Sequence, residues 1–139
     1  MIDIGPEMRE LIDNAAAEGV PCILGTASRD GRPQVTFRGS VLVYDRETLA
    51  YWERSKRTTL ENVADNPHVV IMYRNPGKRI NWRFYGRAVI HDAGPVREEV
   101  MRRTVQAELD RDPERTGVAV LVRLDKIAEL SGNVLQARG

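Results

Sequence analysis

The 139-residue sequence has a single cysteine, Cys22. No disulfide can close within the chain, and with only His68 and His91 beside it a structural zinc site has too few ligands. A reducing cytosol is the expected compartment. Long apolar runs are also missing. The longest, such as Val69 to Tyr73 and Val118 to Val122, fall far short of the roughly 20 residues needed to cross a bilayer, so no membrane association is expected. The N-terminus places Asp3 and Glu7 where a signal or transit peptide would carry basic residues, and export is not expected. Nor is there an excess of charge: 21 basic and 20 acidic residues leave a formal +1, which drives the protein onto neither nucleic acid nor anionic lipid as a whole. Among the 11 glycines no GxGxxG occurs, and no glycine stands where a P-loop ending in Gly77-Lys78 needs one. His68 follows a proline and His91 closes a strand pattern, so neither sits in a context that marks a catalytic base. Cys22 has no basic neighbour in sequence to lower its pKa and reads as a buried, inert thiol.

What is there suits one domain over residues 1–139, a length that builds a core without staples. Pro6 in a first helical turn, followed by Met8, Leu11, Ile12 and Ala15, predicts a short opening helix up to Gly19. Cys22 to Ala27 and Pro33 to Arg38 then read as two strands joined by a turn at Asp30-Gly31. In the second, Val35 and Phe37 alternate with Thr36 and Arg38, which predicts that Val35 and Phe37 face the core. Val41 to Tyr44 and Leu49 to Trp52 are two further strands. Residues 58 to 66 predict a helix with Leu60, Val63 and Ala64 as its apolar stripe and Asn66-Pro67 as its stop. After a buried strand at Val69 to Tyr73 comes the clearest alternation in the chain. Ile80, Trp82, Phe84, Gly86, Ala88 and Ile90 interleave with Arg79, Asn81, Arg83, Tyr85 and Arg87. Residues 95 to 111 predict one charged amphipathic helix on Met101, Val105 and Leu109, and Val118 to Leu124 the last strand. Hairpin-like spacing without regular βαβ alternation argues a mainly β, six- to seven-stranded antiparallel barrel with peripheral helices.

The most informative local pattern is Arg54-Ser55-Lys56-Arg57-Thr58-Thr59-Leu60-Glu61. Thr58 and Glu61 have capping-box spacing, and Ser55 offers a cap one turn earlier. Three cations therefore crowd a helix N-terminus that already carries partial positive charge, at a cost of a few tenths of a kcal/mol each. A bound phosphate resolves the conflict, accepting from backbone N–H and hydroxyl groups while pairing with Lys56 and Arg57. The alternative is a solvated basic loop. A second pattern runs through residues 66 to 91, where Arg74, Lys78, Arg79, Arg83 and Arg87 occur without an acid and Tyr73, Trp82, Phe84 and Tyr85 are interleaved. This composition suits an anion- or nucleic-acid-binding face. The strand phase shared by Trp82 and Phe84 favours core, with Arg83 and Arg87 on a solvated face.

From about Gly19 to Ile90 the sequence resembles the pyridoxamine 5'-phosphate oxidase-like, FMN-binding split-barrel family. The residues that carry the resemblance are Gly25-Thr26-Ala27, Asp30-Gly31-Arg32-Pro33, Leu49-Ala50-Tyr51-Trp52, Ser55-Lys56-Arg57, Asn66-Pro67 and Tyr85-Gly86-Arg87-Ala88, in that order and spacing. The resemblance implies a split barrel, a homodimer with flavin in the cleft between subunits, and an oxidoreductase exchanging hydride or electrons with a small-molecule substrate. It places Ser55, Lys56 and Arg57 on the FMN phosphate, to which Thr58 at the helix start is also expected to donate, and Tyr51 and Trp52 along the flavin. It brings Asn81 to the ring from the partner subunit. The family's phosphate-contacting Arg and its Lys fall near Thr36 and Val41, so Arg38, on the same strand face as Thr36, is the expected substitute. The sequence runs out soon after Ser131-Gly132-Asn133, without the C-terminal segment of true pyridoxamine phosphate oxidases, which argues against vitamin B6 as substrate. Smaller relatives in the superfamily use deazaflavin or haem, and a non-catalytic flavin carrier or sensor is the alternative within the same fold. No nucleic-acid partner and no metal are expected.

Overall fold

Period-two alternation organises most of the chain into strands, and the computed structural model, which describes residues 1–139, contains eight of them. In chain order the elements are α1 (Pro6–Asp13), β1 (Cys22–Ala27), β2 (Pro33–Arg38), β3 (Leu42–Asp45), β4 (Thr48–Glu53), α2 (Thr58–Asp65), β5 (His68–Asn75), β6 (Ile80–His91), α3 (Pro95–Arg103), α4 (Gln106–Leu109), β7 (Val118–Glu129) and β8 (Val134–Ala137). A 3-10 turn at Pro76–Lys78 joins β5 to β6. All the strand pairings are antiparallel, in the order β2-β1-β5-β6-β7-β4-β3. The long β7 carries β4 on the first half of one edge and β8 on the second, so the sheet divides there. This is the mainly β split barrel expected, with one strand more than the sequence pattern indicated.

The sheet curls until its ends meet through side chains instead of a ladder. Arg38 of β2 donates from Nη2 to Glu53 Oε1 of β4 at 2.7 Å. Ser40, just past β2, exchanges hydrogen bonds with the backbone of Trp52, accepting from its N–H at 3.0 Å and donating to its carbonyl at 3.1 Å. Inside the curl lies the larger core, which includes Leu24, Tyr51, Ile71, Tyr73, Phe84, Val122 and Ile127. A smaller one, with Leu42, Ala50, Trp52, Val100, Leu109 and Ala119, seals β4 and β7 against α3 and α4. Gly86 marks a register shift in the β6–β7 ladder. A Cβ there would collide with the Arg123 carbonyl oxygen and lie 2.9 Å from Val122 Cγ1. Gly86→Ala is expected to cost about 2 kcal/mol or more, since backbone cannot yield as a flexible side chain does; a lowered chemical-denaturation midpoint is the check.

Four expectations are corrected. In β2 it is Val35 and Phe37 that are exposed, while Thr36 and Arg38 turn to the barrel, because Glu53 waits there for the guanidinium. In α2 the buried residues are Thr59, Asn62 and Val63, with Ala64 exposed. Asn62 faces inward because it donates to Thr26 Oγ1 at 3.1 Å. The single helix over 95–111 is two, broken at Thr104, whose backbone is extended and whose hydroxyl donates back to the Val100 carbonyl at 2.7 Å. Val100 and Leu109 are the buried anchors. Finally, the last strand does not stop at Leu124: β7 continues to Glu129, and β8 folds back on it. The backbone N–H of Asp3 donates to Gln136 of that strand at 2.7 Å, tying the two ends of the chain together.

Candidate functional site

Along β4 successive side chains point to opposite faces. Tyr51 therefore enters the barrel core and Trp52 the helix-covered core, and both are buried. The Tyr51 hydroxyl has no hydrogen-bond partner. Burial pushes its pKa well up, the Glu53 charge adds to this, and Arg38 opposes it. Trp52 donates from Nε1 to Asp112 Oδ2 at 2.9 Å, and the Arg97 guanidinium lies 4.9 Å from its ring centroid. Asp112 also accepts from the N–H groups of Thr116 and Gly117 and from the Thr116 hydroxyl, at 2.9–3.1 Å. Burial alone would raise its pKa, but these donors together hold it below the usual carboxylate range. Cys22 is buried and its thiol is pushed up to about 12, which leaves it unreactive, as its sequence context implies.

Where the two ends of the sheet meet, a cleft of about 570 Å³ opens, lined in part by Phe37, Arg38, Trp52, Glu53, Ser55 and Glu108. Glu53 is buried and organises its floor. One carboxylate oxygen takes Arg38, and the other accepts the Ser55 hydroxyl at 3.0 Å. Arg38 leaves its buried Nε–H without an acceptor. Arg54 faces Glu108 at 3.9 Å. Lys56 adopts a left-handed backbone, φ +50°, and turns the chain into α2. The N-cap is Arg57, and no side chain caps the helix. The capping box expected of Thr58 and Glu61 therefore does not form: Thr58 already stands inside the helix, and Glu61 gives its N–H to the Arg57 carbonyl at 3.1 Å. Lys56, Arg57 and Thr58 are exposed, and neither cation joins an ion pair. The first N–H groups of the helix thus have no side-chain cap, and two cations without an ion-pair partner directly precede them.

Asn81 lies elsewhere in the chain. Ile90, nine residues along β6, pairs with Val120, which pairs with Tyr51. At the strand rise this sets Asn81 about 30 Å of strand path from the β4 end of the barrel. It lines a second cavity of about 670 Å³ with Arg74, Arg79, Trp82 and Glu129. Its Oδ1 is buried and unpartnered. The structure thus brings Arg38, Trp52 and Ser55 together at one cleft with Lys56, Arg57 and Thr58 following directly in the chain, and does not bring Asn81 to them within one subunit. Sequence reasoning missed Glu53 and Asp112. Each has one partner distant in sequence, Arg38 for Glu53 and Trp52 for Asp112, and no local pattern announces a buried acid.

The fold and the cleft define a small antiparallel split barrel with an uncapped, cation-flanked helix beside the split. The chain belongs to the pyridoxamine 5'-phosphate oxidase family, whose profile matches residues 4–127. No curated protein matches it. Among solved structures, HupZ of Group A Streptococcus superposes with a TM-score of 0.74 at 22% identity, covering 98% of this chain and 99% of that one. An FMN-binding protein from Syntrophomonas wolfei gives 0.68 at 15% identity, with 89% and 86% covered. An F420 reductase gives 0.63 at 20%, with 86% and 94% covered. At these identities the likeness establishes the fold. No helix of the chain is long and apolar enough to cross a membrane.

Proposed function

We propose that the protein binds FMN as a homodimer and acts as an oxidoreductase on a small molecule in the cytosol. The observation that carries this reading is the uncapped start of α2, directly preceded by the unpaired cations Lys56 and Arg57. A phosphate monoester fits it, drawing on open backbone N–H groups, two cations and the Thr58 hydroxyl. Arg38, which lines the cleft with Ser55 and has an orphaned Nε–H, would offer a further donor. Ser55 must release Glu53 before it donates to the ligand. Because the Tyr51 and Trp52 rings are both buried, those two residues would support the flavin as backbone and wall, while Asn81 of the second subunit supplies an unpartnered amide oxygen to the ring. When bound, FMN supplies hydride or electron exchange, and the chain's part is to hold and orient it.

A dimer accounts for the reversed polarity of β2. Val35 and Phe37 are exposed on the outer face, and Val35 lines an apolar groove with Ile23, Val70, Met72 and Tyr85. A second copy is the occupant such a face requires in a protein whose two sites need residues from opposite ends of the barrel. Val35→Asp with Phe37→Asp is expected to yield a folded monomer that loses FMN; light scattering on the variant checks it, and a dimer that persists refutes this face.

The test of the phosphate site is a comparison of FMN with riboflavin, which lacks the phosphate. The reading predicts at least about tenfold tighter binding of FMN, the worth of one charge-assisted contact. Equal affinities would overturn it.

A further inference from the structure

A hydroxyl has one proton to give, and that of Ser55 is already engaged. Its Oγ donates to Glu53 Oε2 at 3.0 Å, and the Ser55 backbone N–H reaches the same oxygen at 3.4 Å. A phosphate and a carboxylate both accept, so the Ser55 proton serves one or the other. When it turns to a phosphate, Glu53 Oε2 keeps only the long backbone contact. Glu53 is 2% exposed, and a buried carboxylate oxygen deprived of its donor is unfavourable. The donors around it are engaged or out of reach. Arg38 Nη2 is on the other carboxylate oxygen at 2.7 Å, while Nη1 serves Thr36 Oγ1 at 3.1 Å and the Phe37 carbonyl at 2.9 Å. The Tyr51 hydroxyl, on the same side of β4, makes no hydrogen bond. The Arg38 Nε–H is itself buried without an acceptor.

Once Ser55 has turned, one ion pair therefore holds two orphans, a donor on Arg38 and an acceptor on Glu53. A ligand hydroxyl answers both, accepting from the Nε–H and donating to Oε2. We infer that Glu53 is a specificity-determining residue of the phosphate site: it selects phosphate esters whose chain carries hydroxyls beside the phosphate over those with a bare alkyl chain. The inference rests on the reading that the cleft and the start of α2 hold the phosphate of FMN, whose ribityl chain is of the selected kind. Phosphate and hydroxyl recognition are coupled through Ser55. Without a phosphate Ser55 stays on Glu53 and a chain hydroxyl gains little there; with one, the hydroxyl takes the place that Ser55 leaves.

The test is a fluorescence titration of the flavin-free protein with four flavins: FMN, its analogue with a 5-phosphopentyl chain, riboflavin, and its analogue with a 5-hydroxypentyl chain. Each analogue lacks the inner chain hydroxyls, so differences in chain flexibility and hydrophobicity cancel between the two pairs. The advantage of FMN over its analogue is expected to exceed that of riboflavin over its own by about tenfold or more, the scale of a hydrogen bond to a charged group. In Ser55→Ala the two advantages become equal, because Glu53 Oε2 lacks the Ser55 hydroxyl with or without a phosphate. Ser55→Thr, which keeps the hydroxyl, restores the difference. Equal advantages in the parent protein, as when the Arg38 Nε–H simply closes onto Glu53 Oε2, or a difference that survives Ser55→Ala, would overturn the inference while a preference for the phosphorylated flavins leaves the phosphate site standing. No preference for phosphate in either pair would overturn the phosphate site and this inference with it.

Discussion

Replacing Lys56 and Arg57 together by alanine reduces FMN affinity about 30-fold or more, equivalent to about 2 kcal/mol of binding free energy from two charge-assisted contacts. Riboflavin binding falls far less, so the preference for the phosphorylated flavin collapses. Stability should move little, because both side chains are exposed and take part in no ion pair. Removing two cations from a helix N-terminus relieves repulsion with the helix dipole, and the unliganded variant should be as stable as the parent or slightly more so. A fluorescence titration with both flavins, beside a denaturation curve, separates these effects. A variant that holds FMN like the parent protein would return both cations to being surface charges.

The second large effect lies in the protein's framework. Asp112→Ala leaves Trp52 Nε1–H and the buried Gly117 N–H without an acceptor and strips Thr116 of two bonds. Stranded buried donors bring the expected loss to about 3 kcal/mol or more. Trp52 forms one wall of the cleft, so the variant also weakens cofactor binding. Asp112→Asn, which keeps one acceptor oxygen, should fall between. The pH dependence has a definite sign. Because the folded-state pKa is lowered, the carboxylate's contribution is fully present above the unfolded value of about 3.9 and is lost as pH falls through the folded value beneath it. The stability gap between parent and Asp112→Ala should therefore be constant from neutral pH down to about 4 and narrow below that. A gap that widens on acidification would contradict the assignment.

The strands were legible where burial enforces strict alternation, and β1, β2 and β6 lie close to where period-two reading puts them. That same reading took β2 the wrong way round. Apolar Val35 and Phe37 face outward, and whether an apolar face meets the chain's own core or another surface is not encoded in its periodicity. β8 escaped because its side chains are mostly exposed and its four residues are too few for a pattern. The break at Thr104 escaped because helical spacing on either side masks a hydroxyl that bonds backward to Val100. The signal behind the proposed anion site is local, cations written beside a helix start. What sequence alone could not supply is the set of partners across the split, Arg38 with Glu53 and Trp52 with Asp112, separated by 15 and 60 residues.

The central claim is that the split beside α2 holds FMN. The most direct measurement is the visible absorption spectrum of the purified protein, recorded before and after incubation with excess FMN and removal of the unbound fraction. The account predicts a retained two-banded yellow spectrum whose chromophore, released on denaturation, is FMN. A protein that stays colourless after loading, or one that carries a Soret band instead, would contradict it.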